Sequence, residues 1–306
     1  MRALELSERY YFDCCVPVLR REVPELLPRL AAGLVGEGSD CFGWDDELSR
    51  DHDWGLRVCL FFPDAALEEH GAALRAAVEK FPRVFEGFRV CPEVPGTKRS
   101  GLYGVGEFYT QAIGRPTAPE TVLDWLAVPE LSLAAAVNGK VFSDPLGEFT
   151  AVRKKLLEGY PRDARLRLLA KYAALAGQTG QYNMLRAARH GEELAEKAAK
   201  FKFIEYAAAI LFLLRGRYRP FYKWLYRALR ELQGGDAMHV LLLELARAED
   251  IQRECELAET VSAALINELR DRGLSGSGSD FLMNHVPELL SRIEDAQLRV
   301  TPLSLL

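Results

Sequence analysis

Residues Gly36 to Trp54 read GEGSDCFGWDDELSRDHDW, and they decide how the rest of the chain is understood. Ala31-Ala32-Gly33-Leu34-Val35-Gly36, at its upstream edge, is short and apolar, the pattern of a buried strand, before the chain turns polar and glycine-rich. Downstream, residues 54–62, WGLRVCLFF, are rich in β-formers and are halted by Pro63. Between the two strands, Asp45, Asp46, Glu47, Asp51 and Asp53 place five carboxylates in nine residues. Like charges so crowded raise one another's pKa unless a cation compensates. On crowding alone the run reads equally as a solvated acidic turn.

Two details carry the reading further. Asp51 and Asp53 stand one residue apart at the start of the expected strand, where positions i and i+2 share a face. Two carboxylates held that way suit a hard divalent cation, with ligand positions left for phosphate and water. His52, between them, would face the other side. Gly38-Ser39 follows the first strand: glycine lets a phosphate approach the backbone, and the hydroxyl and nearby N–H groups can hold it. Phe42 and Trp44 are candidates either for stacking on a base or for anchoring the loop.

Working outward, residues 5–30 carry a helical apolar stripe, with Pro24 suited to the first turn of a second helix. Residues 65–81 fit a crossover helix. Leu102 to Gln111 reads as another strand, and Asn138-Gly139 as a turn before a short strand ending at Asp144. An α+β fold is therefore expected, with a mixed sheet and helices over residues 1–147 and a helical bundle over 148–306. The helices of the second half are read over 148–176, 178–199, 200–215, 219–233, 236–248, 250–272 and 280–297.

The chain has 306 residues, 49% hydrophobic and 27% charged, which excludes a disordered or low-complexity protein. Its longest apolar run, Tyr206 to Leu214, is too short to span a bilayer. The first thirty residues hold five carboxylates and no apolar core of a signal peptide, so a cytoplasmic protein with reduced thiols is expected. None of the six cysteines forms a C-x-x-C pair. The formal net charge of −5 conceals blocks of −9 over residues 1–149, +11 over 150–232 and −7 over 233–306. A basic middle segment suits an anionic ligand or the acidic first third.

Gly38-Ser39 followed by Asp51-His52-Asp53 resembles the signature of the polymerase-β-like nucleotidyltransferase superfamily. The longer string GSDCFGWDDELSRDHDWG, with YPRDARLRLLA, GQYNMLRAARHGEE and LLRGRYRPFYKWLYRAL, is similar to a bacterial nucleotidyltransferase-like family of unknown function. The resemblance implies an N-terminal nucleotidyltransferase domain and a helical C-terminal domain. It implies magnesium or manganese on Asp51 and Asp53, and a nucleoside triphosphate seated by Gly38 and Ser39. Arg50 and Lys223 are then candidates for phosphate contact; Arg227 and Arg230 share the helix face of Lys223. Active members place a third carboxylate on a later strand. Glu107, on the strand expected here, and Glu93, before it, are the candidates, and both sit out of place.

The expected activity is transfer of a nucleoside monophosphate from a triphosphate to an acceptor hydroxyl, on a small molecule, an RNA end or a protein side chain, with release of pyrophosphate. The alternative is a non-catalytic nucleotide-binding module, regulatory or antitoxin-like. Gln181, Tyr182 and Arg186 are read as a helix facing either a cleft or the core. No membrane partner and no DNA-binding motif is expected.

Overall fold

A computed structural model describes residues 2–51, 54–91 and 99–303, with the side chains of Arg50 and Asp51 outside the description. The fold is α+β. The chain forms two compact units. The first comprises residues 1–119 and 128–158, the second residues 120–127 and 159–306.

The first unit opens with α1 (Ala3–Tyr10) and α2 (Val16–Glu22), joined without a break by a π-helical turn over Tyr11–Cys15. Pro17 has no N–H to give the preceding turn, and the helix widens just ahead of it. Then come β1 (Ala31–Leu34), the one-turn helix α3 (Ser39–Phe42), β2 (Cys59–Phe62), α4 (Asp64–Glu79), and the ribbon β3 (Val84–Phe85) with β4 (Phe88–Arg89). They are followed by β5 (Gly101–Gly104), α5 (Val105–Ile113), α6 (Val122–Ala127), which belongs to the second unit, α7 (Glu130–Ala136), β6 (Lys140–Ser143) and α8 (Glu148–Leu157).

The sheet is mixed, in the order β5-β2-β1-β6. β1 is antiparallel to both neighbours, with Gly33 opposite Cys59 and Leu34 opposite Lys140. β2 and β5 are parallel, with Cys59 opposite Gly101, and α4 is their crossover. The side chains of β2 alternate, as strand geometry requires. Leu60 and Phe62 join the core under α1, α2 and α4, with Leu6, Leu19 and Leu74. Phe61 turns to an aromatic cluster on the other face, stacked on Phe149 at 4.0 Å and edge-on to Phe108 at 5.0 Å. Tyr109 Oη donates to the Phe149 carbonyl at 3.0 Å. Phe149 is why α8 packs with the first unit, beyond the boundary expected at residue 147.

Three sequence expectations are corrected here. The strand expected over 54–62 begins only at Cys59, and Asp51 closes a 3₁₀ turn over Leu48–Asp51. Asp51 therefore does not stand at the start of the strand. The strand expected over 102–111 is four residues long and gives way to α5 at Val105. Glu107 thus sits in a helical first turn. The helix expected over 148–176 is two, α8 and α9 (Arg162–Ala176), broken at Gly159-Tyr160-Pro161.

The second unit is built on α9, a π-helical segment over Gly177–Asn183, α10 (Met184–Arg189) and α11 (Glu193–Leu214). The expected break at 199/200 is absent; the chain turns at residues 190–192. Around these pack α12 (Tyr222–Arg230), α13 (Gly235–Arg247), α14 (Ile251–Asp271), α15 (Val286–Ser291) and α16 (Ala296–Val300). The apolar run 206–214 is the second half of α11, buried on nearly all sides by its neighbours. No described helix is long and apolar enough to cross a membrane.

Candidate functional site

The strand pairing brings several loops to one end of the sheet. The C-terminal end of β1 lies beside the N-terminal ends of β2, β5 and β6. The Gly36–Ser39 loop, Arg57, Arg99 and the Asn138-Gly139 turn therefore gather there, although they are far apart in sequence.

Gly38 caps α3 with φ 115° and ψ 160°, a backbone conformation open to glycine. A Cβ there would also lie 2.5 Å from both Arg99 Nη2 and Asp40 Oδ1. The loop carbonyls are held from outside: Asn138 Nδ2 donates to Gly36 O at 3.0 Å, and Arg99 Nη2 to Glu37 O at 2.7 Å. The Asn138-Gly139 turn is itself clamped by Arg153, which donates to Asn138 O and Gly139 O, both at 2.9 Å. Burial lowers the Arg153 pKa, so its charge is held there by the carbonyl dipoles. Among the described residues no hydrogen bond engages the backbone N–H groups of Glu37, Gly38 or Ser39. The loop thus turns its carbonyls to the protein and leaves its donors unengaged.

Asp40, the residue after Gly38-Ser39, is buried and ion-paired to Arg57, itself 4% exposed. Asp40 Oδ1 also accepts from Cys41 N at 3.0 Å and lies 4.0 Å from Arg99 Nη2. The guanidinium groups of Arg57 and Arg99 thus flank the Asp40 carboxylate beside Gly38. Burial, and then the neighbouring Arg99 charge, bring the Arg57 pKa down to about 10. Burial also raises the Cys41 thiol well above its ordinary range, which makes it an inert core group.

The acidic run separates into individual roles. Asp45 Oδ2 accepts from Ala3 N at 2.8 Å, capping α1, and from Trp54 Nε1 at 2.9 Å. Asp46 Oδ1 accepts from both the N–H and the hydroxyl of Ser49 at 3.0 Å, closing a local turn. Asp53 and His52, like the side chains of Arg50 and Asp51, lie outside the described residues, as does Glu93. Among the described residues no group of three or more acidic, histidine or cysteine side chains is placed to hold a metal. Trp44 is buried and stacked on Phe42 at 4.2 Å and 6°, which makes the pair a loop anchor.

Glu107 lies at the opposite end of the sheet from Gly38. Its Oε2 accepts from Gly104 N at 3.1 Å and its Oε1 from Gln111 at 3.0 Å, so the carboxylate caps α5. It is not placed to serve with Gly38 as a third acidic ligand. At the Gly38 end, β5 offers Gly101 and Leu102, which carry no carboxylate.

Lys223 is in the second unit, exposed on α12, with Nζ over the Trp224 ring at 5.1 Å. Of its stripe, Arg230 is engaged by Asp236 at 3.1 Å. Gln181 is a structural residue: it donates to Glu259 and to Asp280 O and accepts from Leu282 N. Sequence reasoning missed Arg57, Arg99 and Arg153. Only the Asn138-Gly139 turn gave a signal that a second loop meets the Gly-Ser segment.

Residues 125–225 match a family described as a domain of unknown function (DUF4037). The match includes Lys223 but not the segment 36–54. No curated protein and no solved structure matches the chain.

Proposed function

We propose that the protein is a magnesium- or manganese-dependent nucleotidyltransferase. It moves a nucleoside monophosphate from a nucleoside triphosphate to an acceptor hydroxyl on a small molecule, an RNA end or a protein. The observation that carries this reading is the Gly36–Ser39 loop, whose carbonyls are tied back and whose N–H groups, among the described residues, are not engaged, with the Arg99 guanidinium alongside. That arrangement suits the β and γ phosphates. Arg99 borders it and joins Arg50 as a candidate phosphate contact. Asp51 and Asp53 are the proposed metal carboxylates; Asp45 and Glu107 accept hydrogen bonds at helix starts, and Asp46 closes a turn with Ser49.

In the reaction the acceptor oxygen bonds to the α-phosphorus while the bond from that phosphorus to the α,β-bridging oxygen breaks. Pyrophosphate departs with the bridging oxygen, and the hydroxyl proton passes to solvent. The bound divalent ion supplies neutralisation of the triphosphate charge. The absence of a carboxylate on β5 at this sheet end favours a second reading, a non-catalytic nucleotide-binding module.

Incubation with α-labelled triphosphates and magnesium, following pyrophosphate release and label transfer, decides between them. Transfer is expected, and Asp51→Asn with Asp53→Asn should reduce it at least a hundredfold, on the order of a lost metal site. Metal-dependent thermal stabilisation by a triphosphate should vanish in the same variant. Stabilisation without transfer would establish the second reading; neither response would reject both.

A further inference from the structure

The second unit holds a groove of about 530 Å³ between the π segment with α10 on one side and α11 on the other. That volume lies in the range of small-molecule sites, roughly 300–1,000 Å³. Asn183, Arg186 and His190 line one wall, with i, i+3 and i, i+4 spacing that brings them to one face. Lys202 stands on the other wall, which is otherwise alanine and leaves the groove open. Glu192, at the turn, is the one acidic lining residue.

What separates these groups from an ordinary solvated surface is their convergence on one groove from two walls, with no partner in the chain to occupy them. Among the described residues the side chains of Asn183, His190 and Lys202 make no hydrogen bond or ion pair. Arg186 donates only to Tyr182 Oη, at 3.2 Å, and its guanidinium lies 5.8 Å from the Tyr182 ring centre. The tyrosine orients the arginine without neutralising it. Three other cations of the unit are by contrast paired with carboxylates: Lys200 with Glu254, Arg215 with Glu268 and Arg219 with Glu205.

The groove wall is also rigidly built. A π-helical segment is a poor default for a chain and persists where packing over-determines it. Here Gly180 lies so close to Phe203 that a Cβ would sit 2.3 Å from the ring. Gln181 next to it is tied to Glu259 and to the 280–282 backbone.

We infer that this groove binds the phosphate group of a small phosphorylated molecule. Arg186 supplies a planar fork, Lys202 a point charge from the opposite wall, and Asn183 and His190 further donors. A phosphate monoester carries up to two negative charges and several acceptor oxygens, enough to engage donors from both helices at once. The inference is independent of the Gly38 site, which is in the other unit.

The test is titration of the full chain, in chelator, with glycerol 3-phosphate and inorganic phosphate, and with glycerol as the uncharged control. Calorimetry gives affinity, and the His190 ring signals in NMR report the groove itself. Binding of the phosphate probes but not glycerol is expected, with perturbation of His190. Tighter binding of the ester would identify an organic phosphate as the ligand; equal binding would identify free phosphate. The Arg186→Gln/Lys202→Gln chain should bind on the order of tenfold more weakly or worse, as for lost charge-assisted hydrogen bonds. Ala198→Phe, at an exposed lining position, should block the groove while leaving every charge in place. No binding to the native chain, binding without a His190 response, or binding unchanged in either variant would overturn the inference. So would single-stranded RNA bound through Arg186 and Lys202 where the small phosphates are not.

Discussion

The sheet end around Gly38 and the α10–α11 groove are both rich in charged residues, and they use them in opposite ways. Around Gly38 four charged side chains are engaged with the protein: Asp40 with Arg57, Asp45 with the start of α1, Asp46 with Ser49, Arg153 with the Asn138-Gly139 turn. The donors left without a partner among the described residues there include the backbone N–H groups of Glu37, Gly38 and Ser39. In the groove the walls are helical, and among the described residues the side chains of Asn183, His190 and Lys202 make no hydrogen bond or ion pair. Density of charge in a sequence therefore does not identify the charges available to a ligand. In one region they build the cradle; in the other they face outward.

If that contrast is right, Asp40→Ala is the most damaging of the substitutions considered. It leaves Arg57 buried without its carboxylate, which should cost about 3–5 kcal/mol. Replacing both partners, Asp40→Leu with Arg57→Met, should recover most of the loss. Calorimetric unfolding measures both; a cost below about 1 kcal/mol for Asp40→Ala would break the comparison at its strongest point.

Gly180→Ala tests the rigidity of the groove wall. The added methyl meets the buried Phe203 ring, and overpacking of this kind costs about 1–3 kcal/mol. Phe203→Leu in the same chain should return part of it, in the unfolding of the second unit.

Glu268 shows what pairing does to a charge in the helical unit. Hydrogen bonds from Arg215, then from Arg272, hold its carboxyl at about 2, below its ordinary 4.5. A depressed carboxyl pKa stabilises the fold above pH 4.5, and that contribution is lost as pH falls toward 2. With the glutamate 35% exposed, solvent screening limits the effect to roughly 1 kcal/mol. Glu268→Gln should flatten the stability profile across that window, read from unfolding midpoints between pH 5 and 2.

The smallest effect belongs to the groove. Arg186→Gln and Lys202→Gln should each change stability by less than about 0.5 kcal/mol at neutral pH, since neither side chain is matched to a carboxylate. A larger loss would mean that these cations hold the fold together, as Arg57 does, and the contrast between the regions would collapse.

Patterning in the sequence established a good deal. The apolar run 31–36 holds a strand, 65–81 holds a helix, Asn138-Gly139 is a turn before a strand, and every described element beyond Pro161 is a helix. Each follows from local preference: side-chain period, turn chemistry and helix breakers act over a few residues. The misreadings have equally physical causes. LYGVGEFYTQ alternates glycine with β-formers and imitates a strand, but Asp64, from another element, accepts from the N–H groups of Gly106 and Glu107 at 2.8 and 3.1 Å. With Glu107 folding back on Gly104, those bonds start a helix that local propensity does not announce.

The sequence by itself determined the α+β class and placed Gly38-Ser39 in a loop after the first strand. Only the tertiary structure decided which loops that segment meets, because strand order joins residues 36–39, 57, 99 and 138–139 across as many as a hundred positions. It also decided that Phe149 carries α8 into the first unit, and that Trp125, 6.1 Å from Tyr160, carries α6 into the second. The physical reason is common to these cases. Secondary structure is set by neighbours in the chain, whereas a side chain's partner is set by which buried surfaces and charges must be satisfied once the elements pack.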